Sequence, residues 1–345
     1  MNTYTFPENK KYSWSRPCEI LSMASYLPQS TLSNEQIFRT QKNPLPEPMV
    51  IRMVGVKNRH VAQPGVSDSD LMVIAAQECL KKAAVTADDV SKIVVNKFLG
   101  DRILPPTASI LQRKLGVKRA VQCLDIDGGM NSFIQSFIMA AKCIQSGDEY
   151  VLIVSGGICH DLISRDNPRV SYLFGDGATA VLLGPSEKTH ILSHYEFSNY
   201  DYLDIFKSTD FYSAAKAGCN TVTSDPSLHD MYSIGNWKDA NDFIMEALKH
   251  THDNLLESAG CKAENIDYFL VTEINRPLWE NIINHLNIKP GKTISLLQEQ
   301  GNTLTANMPM LLVNLDKKVS LQPGQRVMML SVGEGICGGG CIYQK

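Results

Sequence analysis

From Val90 the chain reads VSKIVVNKFLGDRILPPTASILQRKLGVKRA. The β-branched run predicts a strand, the prolines break it, and Ile110, Leu111 and Leu115 then recur at helical spacing. The same order returns from Asn265 in NIDYFLVTEINRPLWENIINHLNIKPGKT. There Tyr268 to Val271 predicts a strand, Asn275 and Pro277 a loop, and Leu278, Ile282, Ile283 and Leu286 the buried face of a helix.

The correspondence continues downstream. VQCLDIDGGMNSFIQSFIMAAKCIQSGDEYVLIVSGG parallels TISLLQEQGNTLTANMPMLLVNLDKKVSLQPGQRVMMLSVGEG in order and nearly in length. Each copy runs strand, glycine-containing turn, apolar helix, glycine turn and apolar strand. FGDGATAVLLG and CGGGCIYQ both read as strands entered through glycines. Strands alternating with helices predict βαβ units and a mainly parallel sheet, and continuous apolar runs such as YVLIVSGG predict strands buried on both faces. A helix over 131–146 carries Phe133, Ile134, Phe137, Ile138, Met139, Ala140 and Ala141. So little polar face remains that it must lie between two sheets. The expected architecture is a duplicated α/β fold in five layers, αβαβα, with halves 1–184 and 185–345. Asn199 to Asp230 is expected to be an insertion covering a pocket, and Gln29 to Met49 a second irregular stretch.

Composition narrows the function classes. A chain of 345 residues, 43% hydrophobic and 20% charged, is long enough for two domains and too apolar for disorder. With 33 basic and 36 acidic residues the net charge is -3, which lacks the broad basic footprint of a nucleic-acid binder. Nine cysteines without a CxxC pair do not resemble a secreted disulfide framework, so the expected compartment is the cytoplasm. No apolar run is long enough for a membrane span. There is no zinc spacing, P-loop or dinucleotide fingerprint, and no metal ligand set is expected.

Several segments, in order, resemble the thiolase superfamily, most closely its β-ketoacyl-acyl-carrier-protein synthase III branch: GVKNRHVA, PPTASILQRKLG, FGDGATAVLLG, GNW, GNTLTANMP and PGQRVMML. The resemblance implies a thiolase-like fold of two five-stranded units, a dimer built on a central strand, and a Cys-His-Asn site that takes an acyl group from a thioester and condenses it with a malonyl unit.

By that resemblance the cysteine position in DIDGGMNSF falls on Met130, whose thioether has no proton to lose. The helix N-terminus there would otherwise suit a thiolate. The histidine position falls on Thr272, a hydroxyl that is no base near neutral pH, while Asn302 keeps the third position. The middle glycine of the oxyanion turn corresponds to Glu334, which would point away, be protonated, or serve a different charge pattern. Arg52, Arg169, Asn236 and Asn275 are the corresponding cofactor contacts, the two arginines each displaced by about one position. No permanently bound cofactor is expected; coenzyme A or phosphopantetheine would carry the acyl group. Plainer readings attach to these residues too: Met130 as packing, Thr272 as a strand end, Asn302 as a turn residue, Glu273 as structural, His160 as a loop histidine and Cys159 as a buried thiol.

Two function classes stand open. One is a non-condensing partner subunit that binds acyl thioesters, with acyl carrier protein as a further partner, as a homodimer or beside an active ketosynthase. The other is a divergent acyltransferase, thioesterase or decarboxylating or condensing enzyme that uses Glu334 and Asn302 without covalent capture.

Overall fold

The apolar run VLIVSGG forms a strand buried along its whole length, and its alternate residues feed two separate cores. Val151 and Ile153 face one cluster, Leu152 and Val154 the other, as a period of two requires. The computed structural model describes residues 6–8, 13–41, 44–160, 168–199, 206–207, 233–234, 237–333 and 337–345.

Within these residues the strands are β1 (Cys18–Tyr26), β2 (Thr31–Ser33), β3 (Asn58–His60), β4 (Lys92–Asn96), β5 (Gln122–Ile126), β6 (Val151–Gly157), β7 (Gly177–Pro185), β8 (Ile191–Ser198), β9 (Phe206–Lys207), β10 (Ser233–Ile234), β11 (Tyr268–Val271), β12 (Arg326–Gly333) and β13 (Cys337–Gln344). The helices are α1 (Asn34–Phe38), α2 (Glu47–Val54), α3 (Asp68–Ala83), α4 (Thr107–Leu115), α5 (Ser132–Gln145), α6 (Pro168–Ser171), α7 (Trp237–Ala259), α8 (Arg276–His285), α9 (Leu297–Gln300) and α10 (Asn307–Val319). One sheet has the order β1-β7-β6-β4-β5, the other β11-β12-β13-β8.

Helices α5 and α10 fill the space between the sheets. Phe133, Phe137, Ile144, Met308, Leu311 and Leu315 pack in one cluster with Val94 and Ile153 of the first sheet and Leu270, Val327 and Met329 of the second. The outer face of the first sheet is covered by Leu71, Met72 and Cys79 of α3 and Leu111 of α4. The outer face of the second is covered by Phe243, Leu248 and Leu255 of α7 and Leu278 and Ile282 of α8. This is the expected five-layer αβαβα fold.

Four expectations need correction. The sheets are mixed: only the β4–β5, β4–β6 and β11–β12 ladders are parallel, against four antiparallel ladders in the two main sheets. Strands β12 and β13 are separated by three residues, a link too short for the crossover that a parallel pair demands. The second sheet has four strands among the described residues, since Thr293–Leu296, which parallels β5, adopts no strand. The span Gln29–Met49 is not irregular throughout: it holds β2, the beginning of α2, and α1 with a capping box on Ser33. The helix expected over 131–146 starts at Ser132 after a short 3-10 turn, Gly129–Asn131, and ends at Gln145. Most of Asn199–Asp230 lies outside the described residues. Among those described, no helix is long and apolar enough to cross a membrane.

Candidate active site

Strand β5 ends at Ile126, and a tight turn carries the chain into α5. Gly129 in that turn is left-handed, with φ +53°, which lets Met130 stand at the helix entrance. The Met130 side chain is 4% exposed and packs with Ile37, Val56, Cys159, Phe174, Leu297 and Leu304. From the opposite sheet, Gly333 closes on the same turn. A methyl group there would stand 2.9 Å from the amide nitrogen of Asn131 and 3.1 Å from that of Met130, so only glycine allows this approach.

Asn302 reaches Met130 from another direction. Gly301 takes φ +71°, and a side chain there would meet the Leu173 carbonyl and the Gly175 amide nitrogen at 3.0 Å each. Beyond it, the Asn302 amide N–H donates to the Leu173 carbonyl (2.9 Å) and its carbonyl accepts from Gly175 (3.0 Å). Its side chain is equally fixed: Oδ1 accepts from the Leu304 amide (2.8 Å) and Nδ2 donates to the Ile274 carbonyl (3.2 Å). Nδ2 also lies 3.9 Å from the Met130 sulfur, a weak acceptor.

Thr272 follows β11 directly and is 2% exposed. Its hydroxyl donates to Ser331 Oγ (2.7 Å), with the Leu330 carbonyl as a second acceptor at 3.3 Å. Ser331 in turn donates to the Met130 carbonyl (3.0 Å). Met130, Thr272 and Asn302 are thus brought together, Thr272 through Ser331. Ser331 was missed in the sequence reading, although alternation along β12 puts it on the inward face of Val327 and Met329.

The neighbouring carboxylate turns elsewhere. Glu273 is fully buried, and its carboxylate accepts from the Ser295 hydroxyl and the Leu296 amide. Its own amide donates to Asn307 Oδ1 at 2.9 Å. Burial pushes its pKa up, against these donors. Asn275 caps α8, its Oδ1 accepting from the Leu278 amide at 3.0 Å. Arg52 is exposed near the end of α2, and Arg169 falls in α6. Asn236 and Glu334 lie outside the described residues. His160 sits against Asp176, the acid of the GDG turn, with Nδ1 2.5 Å from Oδ2. Asp176 Oδ1 also accepts from the Cys159 and His160 amides, so this acid ties β7's entrance to the loop after β6.

The thiols among the described residues are poorly placed for nucleophilic work. Burial pushes Cys18 up to about 12 and Cys79 up to about 11, and raises Cys123, Cys143, Cys261 and Cys341 as well. Cys159 is 2% exposed. Cys337 donates to the Gly128 carbonyl at 3.4 Å. Among the described residues no group of three or more His, Cys, Asp or Glu side chains could hold a metal ion.

Comparison with known proteins agrees with this fold. The family described as 3-Oxoacyl-[acyl-carrier-protein (ACP)] synthase III matches residues 124–200, and its C-terminal counterpart matches residues 256–345. The beta-ketoacyl-[acyl-carrier-protein] synthase III of Neisseria gonorrhoeae is 28% identical over 327 residues, covering 94% of this chain and 98% of the relative. The solved 3-oxoacyl-[acyl-carrier-protein] synthase III of Aquifex aeolicus shares the fold at a TM-score of 0.85 and 21% identity, covering 95% of this chain and all of that one. The priming beta-ketosynthase of the R1128 polyketide pathway does so at the same score and identity, covering 99% and 98%. The two matched segments, the relative that spans nearly the whole chain and the shared thiolase-like fold together make this chain similar in sequence and in fold to the 3-oxoacyl-[acyl-carrier-protein] synthase III proteins.

Proposed function

We propose that this chain works in fatty-acid- or polyketide-type synthesis as a ketosynthase III-like protein that binds acyl thioesters without capturing the acyl group covalently. The names of its relatives, beta-ketoacyl-[acyl-carrier-protein] synthase III among them, support the substrate class; coenzyme A or the phosphopantetheine of an acyl carrier protein is the proposed acyl carrier. One observation carries the rest. The side chain at the head of α5 is the buried thioether of Met130, and two hydroxyls at that turn, Ser132 and Ser331, both donate to backbone carbonyls. Thr272, in the expected histidine position, spends its own proton on Ser331. Neither the sulfur nor the hydroxyls can supply the thiolate and imidazole of a condensing cycle.

In this reading the chain acts as a homodimer or beside an active ketosynthase, shaping which acyl group is handed on. Arg52, Arg169, Asn236 and Asn275 are its proposed contacts to the acyl carrier. The test is calorimetric titration with an acyl-CoA alongside an assay for release of free coenzyme A and for condensation with a malonyl thioester. Saturable binding with neither release nor product is expected. A β-ketoacyl product formed by the isolated chain would overturn the reading.

A further inference from the structure

A cavity of about 310 Å³ opens beside α1 and shares Phe174 with the apolar cluster around Met130; Met130, Thr272 and Asn302 do not line it. Its polar wall contains Arg59, which is 1% exposed. The guanidinium donates to the Leu32 carbonyl (2.8 Å), Asn34 Oδ1 (2.6 Å) and the Tyr172 carbonyl (2.7 Å), all of them neutral. Its Nε finds no acceptor among the described residues. Burial pulls the Arg59 pKa down to about 10, with Tyr172 opposing the shift, and among the described residues no carboxylate pairs with it. Gln41, also in the wall, donates through Nε2 to Ser171 Oγ (2.6 Å), while its buried Oε1 finds no donor among the described residues.

A buried cation that faces only neutral acceptors among the described residues is unusual, because buried charges are ordinarily paired and buried polar atoms ordinarily bonded. Asp176, which contacts the lining residues Ala62 and His160, does not meet that need. Asp176 accepts from the amides of Ala62 (2.7 Å), Cys159 (2.8 Å) and His160 (3.0 Å) and is engaged by the His160 ring as well. The rest of the lining includes Ile37, Val61 and Phe174. The volume holds about ten water-sized groups at ~30 Å³ each, and it falls in the range of small-ligand sites.

We propose that this cavity binds a small organic carboxylate with an apolar body. The anion pairs with Arg59, and the body lies against Ile37, Val61 and Phe174. This site is defined by Arg59 and the cavity lining and does not depend on how the Met130 site is read. Thr40 and Gln36 are exposed side chains at its edge, so α1 forms the rim through which the ligand would enter.

The test uses the full chain and calorimetric titration with benzoate, cyclohexanecarboxylate and hexanoate, each beside its neutral amide. One equivalent of at least one acid per chain should bind, with the matching amide at least tenfold weaker. Arg59 ties three segments together, so its replacement could simply unfold the chain; the exposed rim variant Thr40→Trp avoids that difficulty. It should weaken acid binding at least tenfold while leaving the melting temperature within the error of the parent. Three results would overturn the proposal: no binding of any acid at millimolar concentration, equal affinity for acid and amide, or acid binding unchanged in a folded Thr40→Trp protein.

Discussion

At residue 130 the chemistry turns on one side chain. The turn before α5, the glycine approach from residue 333 and the fixed Asn302 amide are all present around it. Met130→Cys should therefore gain the ability to accept an acyl group, because the amide groups at a helix N-terminus favour a thiolate. Condensation should not follow, since Thr272 supplies no base; an acyl adduct by mass without a β-ketoacyl product is the expected pair of results. The hydroxyl chain carries a stability cost of its own. Ser331→Ala removes the hydroxyl that donates to the Met130 carbonyl and accepts from Thr272, whose longer bond to the Leu330 carbonyl remains. A loss of about 1–2 kcal/mol is expected by denaturant unfolding. The residues meeting here were legible in the sequence where a motif marked them, as with Met130, Thr272 and Asn302. Ser331 and the Glu273–Ser295 contact were not, because they depend on which segments oppose each other across the sheets rather than on spacing along the chain.

Element by element, period and punctuation predicted most of the architecture. The β-branched runs became β4, β6 and β11, and the nearly all-apolar helix lies between the sheets because every face of it needs cover. Strand direction was not legible from hydrophobicity, which is the same for a buried strand running either way; the three-residue link between β12 and β13 was the available signal. Two elements offer direct tests. Asn275 caps α8, and Asn275→Ala should cost about 1 kcal/mol in unfolding free energy. Asp68, at the start of α3, accepts from the amides of Gly100 and Ile158 and so ties together the loops after β4 and β6. Burial pushes it up to about 6; the two amides oppose the shift, and Asp101 and Asp176 reinforce it. The folded chain therefore holds this proton more tightly than the unfolded one, whose carboxyl titrates near 3.8. The resulting stability is present below that value and is lost as pH rises from about 4 to about 6, by at most ~3 kcal/mol, with no further change above. In Asp68→Asn this segment of the stability profile should vanish when the two proteins are unfolded side by side across that range.

For the molecule as a whole, the duplicated order of strands and helices predicted five layers, and five layers are found. An unpaired sheet edge is a ready template for pairing with another chain. Among the described residues β5 pairs only with β4, so its far side is the open edge of the first sheet. Ile103 and Leu104, 70% and 77% exposed, stand in the loop between β4 and α4. A dimer through this side should bury on the order of 1,600 Å² or more, and sedimentation at micromolar concentration should show two chains; a monomer would count against it. The central claim is that the fold binds acyl thioesters and forms no acyl-enzyme. Intact-mass measurement of the unmodified chain after incubation with acyl-CoA tests it most directly. The predicted result is the mass of the free protein; an acyl adduct labile to hydroxylamine, mapped to Cys337, Cys159 or any other cysteine, would contradict it.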